Sequence, residues 1–147
     1  MWMLLALLTS DADAGKAERD ARRELRAVRR HTQVLTDSAD DYWRALRWAD
    51  YTRAGAHIAD PKRRADWVIQ ESERASLKIQ SAEVLSILVG EPDEYGSREA
   101  TVLVQIEGYS NASQKLTKET RTQEWVLLTS GWFVGDGEEY GVLPGER

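Results

Sequence analysis

The apolar residues of this chain change their period once, near Ser76, and that change constrains the fold more than any motif does. Before it, apolar side chains recur at spacings of three and four, the pattern of helices that bury one face. After it they alternate with polar ones, the pattern of strands. Helices first and strands afterwards predict an α+β domain, with two or three helices on one face of a four-stranded antiparallel sheet.

The helical part is punctuated by its own signals. Over residues 16–35, Ala17, Ala21, Leu25, Val28, Thr32 and Leu35 form one narrow stripe. It is alanine-rich and would bury little area, so this helix is expected to be peripheral. Asp37-Ser38 supplies N-cap chemistry for a second helix reaching about His57. Its stripe is Tyr42, Ala45, Leu46, Ala49 and Ala56, with Trp48 on one shoulder and Trp43, Asp50 and His57 on the other. Asp60-Pro61 restarts the chain as cap and first helical residue of a third helix, residues 61–73, carrying Ala65, Trp67, Val68 and Ile69.

Leu77, Ile79, Leu85, Ile87 and Val89 then alternate with Lys78, Gln80 and Ser86, and the disturbed stretch 81–84 predicts a bulge. Residues 91–97 have loop composition. Ala100, Val102, Val104 and Ile106 make a second strand. A third runs over 115–128, and Ser130-Gly131 turns the chain into a short fourth strand at Trp132-Phe133-Val134. Trp125 and Leu127 point to one face, Val126 and Leu128 to the other. A sheet apolar on both faces needs a second cover, which a homodimer through the sheet would supply. Residues 136–147 read as a loose acidic tail.

Composition removes several chemistries. Among 147 residues there is no Cys, which excludes disulfides, thiol catalysis, thiolate metal sites and a lipidated cysteine. Two His exclude a multi-histidine metal site, so neither metal nor cofactor is expected. No Walker loop, dinucleotide glycine fingerprint, serine elbow or zincin motif occurs. The net charge of −5 argues against nucleic acid as a partner. The charge is uneven: 14 Lys/Arg face 13 Asp/Glu in residues 1–74, and 6 face 12 in residues 75–147. Arg19, Arg22, Arg23, Arg26, Arg29 and Arg30 concentrate the basic side chains. Of these, Arg22, Arg26, Arg29 and Arg30 are candidates for holding an anionic partner. The plainer reading is a solvated helix face.

Residues 2–8 form an apolar run far short of the ~20 residues that span a bilayer, so no transmembrane segment is expected. Followed by Ala12-Asp13-Ala14 and Gly15, the run matches a signal peptide over residues 1–14. That implies a periplasmic or secreted protein. The alternative is an apolar turn packed on a cytoplasmic domain.

From Tyr42 onward the pattern Tyr42-Trp43, Leu46, Trp48, Asp50-Tyr51, Ala54, then Pro61, Arg64, Trp67, then Gln123-Glu124-Trp125 and Gly131-Trp132 resembles the small bacterial branch of the nuclear transport factor-like superfamily, which includes ketosteroid isomerases. The resemblance covers residues 38–135. It implies a cone, in which helices close over a curved antiparallel sheet around a tapering pocket. The superfamily's enzymes place acid–base carboxylates and a Tyr or His there. No such motif matches here residue by residue.

Under that resemblance Tyr42, Trp43, Leu46, Trp48, Tyr51 and Trp67 are pocket candidates for a small apolar ligand, although aromatics at helical spacing also make a plain core. Asp50 and His57 are the acid–imidazole pair in helical register, and would serve as base and acid if both lined the pocket. Otherwise Asp50 pairs with Arg47 or Arg53, and His57 merely sits near a helix C-terminus. The expected function is a non-enzymatic binding or interaction module for a small apolar ligand or a protein. An isomerase- or dehydratase-like enzyme, or a protein binding anionic lipid through the arginine helix, are the alternatives.

Overall fold

The structure is a computed structural model that describes residues 10–74, 77–110 and 114–135. The elements run α1 (Ser10–Arg47), α2 (Tyr51–Gly55), α3 (Pro61–Arg74), β1 (Leu77–Val89), β2 (Arg98–Ser110), β3 (Thr117–Leu128) and β4 (Gly131–Gly135). The strands form one antiparallel sheet in the order β1-β2-β3-β4, curled but not closed, and the helices pack against it. The expected α+β class is therefore observed. The chain divides into two compact units between His31 and Thr32.

The helix boundary expected at Asp37-Ser38 does not form; α1 runs through it. Both polar side chains turn back onto the helix. Ser38 Oγ donates to the Val34 carbonyl at 3.0 Å, and Gln33 Nε2 donates to Asp37 Oδ1 at 3.2 Å. Leu35, Ala39, Tyr42, Trp43 and Leu46 are all buried, so the apolar period continues unbroken across the junction. Burial of that stripe outweighs a local capping preference of about 1 kcal/mol.

α1 stops instead at Arg47. Ala49 adopts the left-handed region, φ 55°, and the Asp50 N–H bonds the Ala45 carbonyl at 2.9 Å. This reversal splits the expected second helix, and the five-residue α2 follows as a separate element. α3 starts where the sequence placed it: Asp60 Oδ1 accepts from the N–H groups of Lys62 (2.8 Å) and Arg63 (2.9 Å). Those bonds, that of Arg63 foremost, hold the Asp60 carboxyl below its ordinary range.

On the sheet, Ala100, Val102, Val104 and Ile106 of β2 are buried and their odd-numbered neighbours are not. β1 breaks register against β2 between Ile79 and Ser81 and between Val84 and Ser86, bracketing the stretch where the sequence predicted a bulge. The first break, at Gln80, shifts the core side from Ile79 to Ala82 and Val84; the second leaves Leu85 unpaired and exposed and returns Ile87 and Val89 to the core, so the expected alternation is interrupted between the two. Gly108 pairs with Ile79 beside the first break. A Cβ there would lie 2.6 Å from the Lys78 carbonyl oxygen, so this close crossing requires glycine. Extra residues increase local twist, which is how a four-stranded sheet curls.

The run 2–8 and the tail 136–147 lie outside the described residues. Ala12, Asp13 and Ala14 fall at the start of α1.

Candidate functional site

The polar residues that the fold brings together beside the aromatic core are Asp41, Arg53 and His57. Asp41 lies on α1, Arg53 on α2, and His57 in the connection to α3. Arg53 Nη2 donates to Asp41 Oδ1, and His57 Nε2 lies 3.0 Å from Asp41 Oδ2. A carboxylate oxygen only accepts, so Nε2 carries the hydrogen. The Arg53 hydrogen bond, reinforced by His57, lowers the Asp41 carboxyl below its usual range despite an opposing effect of burial.

The rest of His57 is also engaged. Its side chain is 16 % exposed. Its ring meets the edges of Tyr42 (6.0 Å between centroids) and Trp125 (5.9 Å). Its carbonyl accepts the Val134 N–H of β4 at 2.9 Å. The next carbonyl, of Ile58, accepts both Nε and Nη2 of Arg64 at 3.0 and 2.8 Å. An imidazole aimed by a carboxylate is the arrangement of an oriented general base. Here the same residue also joins α1, the α2–α3 connection and β4.

Asp50 and His57, the acid and imidazole that could both have lined a pocket, do not share one in this fold. Asp50 is exposed and caps α2, its Oδ1 accepting the Arg53 N–H at 3.1 Å. The reversal at Ala49 removes both residues from a common helix, so the helical register that linked them no longer applies.

The pocket candidates separate. Tyr42 (1 % exposed), Trp43, Leu46 and Trp67 are buried in the core, and Tyr51 packs partly buried against it. Trp48 is 74 % exposed, with the Arg47 guanidinium 5.6 Å from its ring centroid. It lies just past the end of α1, where the chain turns away, so it lines no interior surface. Arg22, Arg26, Arg29 and Arg30 are exposed on α1 in the first unit.

The interior itself is aromatic. Tyr42 stands edge-on to Trp43 (5.4 Å) and Trp125 (5.9 Å) and lies tilted against Trp67 (6.4 Å). Burial raises the Tyr42 phenol far above its ordinary value, so it stays neutral. Trp43 Nε1 donates to the buried Gln123 Oε1 at 2.8 Å. Gln123 Nε2 and Trp125 Nε1 are buried without a hydrogen-bond partner among the described residues.

Sequence reasoning missed Asp41 and Gln123 as site residues. Asp41 gave no signal, because its partner arrives across two helix breaks. Gln123 did give one: it stands two residues before Trp125 in a strand, so it shares that core-facing side. No family model matches the chain, and neither a curated protein nor a solved structure matches it.

Proposed function

We propose that this protein is an exported, non-enzymatic interaction module of the nuclear transport factor-like kind, which uses its interior as core and meets its partner on its outer surface. The mutual contact of the interior rings carries this reading. Tyr42, Trp43, Trp67, Trp125 and Trp132 are each at most 5 % exposed, and Tyr42 touches three of the others. Side chains that fill a concave face against one another do the work of a packed core rather than of a ligand cleft. The engagement of Asp41 by both Arg53 and His57 supports a joint between elements over an acid–base centre. The order of helices followed by an antiparallel meander supports the family reading. The run 2–8 with Ala12-Asp13-Ala14 supports export, and the mass of the mature chain tests it: loss of residues 1–14 is expected.

Titration of the folded protein with the uncharged apolar dye Nile red, read by dye emission and Trp quenching, tests the filled interior. No saturable binding is expected below the unfolding transition. Stoichiometric binding that Trp125→Phe abolishes would show an open pocket at the unpaired Gln123 and Trp125 donors, and would overturn the reading.

A further inference from the structure

We infer that the arginine face of α1 is a docking surface for an anionic phospholipid bilayer. This rests on the interaction-module reading and names its partner. At about 100° per residue, Arg19, Arg22, Arg23, Arg26, Arg29 and Arg30 fall in one sector of about 120°. No other residue between 19 and 30 falls in it. All six are exposed, and they extend along about 17 Å of helix. Among the described residues Arg22 pairs with Glu18; Glu18 lies at the margin of the sector, outside the run itself. Residues 16–30 hold seven basic side chains against three acidic ones, on a chain whose net charge is −5. The positive charge is thus local, and every member of the face is Arg. A guanidinium presents paired N–H donors that match phosphate oxygens, which a lysine ammonium does not.

The choice of a bilayer over another polyanion comes from the remaining faces of the same helix. Ala17, Ala21, Leu25 and Val28 form its apolar stripe, and Leu25 is 55 % exposed. A nucleic acid or an acidic protein surface would use the arginines and gain nothing from that stripe. A helix lying in a membrane interface uses both: the stripe, centred about 145° round the helix from the arginine sector, enters the acyl boundary, while the long arginine side chains reach the headgroup phosphates from the polar side. The attraction then falls off within a Debye length and weakens with salt.

The test uses the full chain and flotation with vesicles of phosphatidylcholine alone or with about one-third phosphatidylglycerol. Binding is expected to the anionic vesicles only, and to fall at least tenfold between about 0.05 and 0.5 M salt. The variant R22Q/R26Q/R29Q/R30Q should bind at least about 100-fold more weakly, since each basic residue near an anionic surface contributes about fivefold. The four positions are exposed, so circular dichroism and the melting temperature should be unchanged. Equal binding to neutral vesicles, no binding, or full binding by the variant overturns the proposal. So does a DNA duplex that binds tenfold tighter than the vesicles. None of these outcomes touches dye exclusion by the interior, so this inference and the module reading fail separately.

Discussion

α1 contains two stretches built on one period that meet opposite fates. Residues 17–28 place Ala17, Ala21, Leu25 and Val28 at helical spacing, and none of them is buried. Residues 35–46 place Leu35, Ala39, Tyr42, Trp43 and Leu46 at the same spacing, and all are buried. Periodicity therefore sets which face is apolar, and side-chain size sets what that face can do. An alanine-rich stripe offers a protein core little area, whereas Tyr and Trp remove about 150–250 Å² each. The exposed stretch is left for its arginines to define, and the buried one becomes the wall of a core.

Substitutions sharpen this contrast. Trp125→Ala removes the ring that contacts both Tyr42 and His57, and is expected to cost about 3–5 kcal/mol in denaturant unfolding. A loss below about 1 kcal/mol would mean the core is not the packed unit described.

Asp41→Asn is expected to cost about 1 kcal/mol near neutral pH, because the carboxylate is partly exposed and its pairs are screened. Its pH dependence has a definite sign. The folded carboxyl is held below its unfolded value, so its contribution is complete above the ordinary carboxylate range and disappears as pH falls through the lower, folded value. Unfolding curves of wild type and Asp41→Asn should therefore converge below about pH 4. Curves that stay parallel into acid would show that Asp41 acts by shape and not by charge.

Ala49→Gly should stabilise by about 0.5–1 kcal/mol, since glycine accepts the left-handed conformation that terminates α1. Destabilisation here would argue against the reversal that separates Asp50 from His57. At the bottom of the scale, Arg26→Gln with Arg30→Gln should move stability by less than about 0.5 kcal/mol, as both are exposed in the first unit. A larger loss would assign those arginines a structural duty and erase the contrast between the two stretches.

Much of the candidate site was legible residue by residue, and little of it as a set. Tyr42, Trp43, Leu46 and Trp67 were recognisable as interior, because large aromatics on an apolar stripe are buried wherever the stripe packs. His57 was recognisable as the imidazole to watch. Its partner was not: Asp50 was closer in sequence, and Asp41 reaches the ring only because the chain reverses at Ala49. Trp48 failed for the same reason, since a continued helix would have kept it at the edge of the stripe.

Residue order alone is enough for the succession of helices and strands, the burial of the aromatic stripe, the cap at Asp60 and the neighbourhood of the β1 bulges. Each of these is a local matter of period, side-chain volume or turn chemistry. Long-range packing sets the rest: Asp37-Ser38 is absorbed into one long helix, Val84 and not Leu85 faces the core, and Asp41 holds His57. At Asp37-Ser38 a local capping preference of about 1 kcal/mol competed with burial of several large side chains at once; at β1 two register breaks reset which side faces the core, and Asp41 meets His57 only because the chain reverses at Ala49.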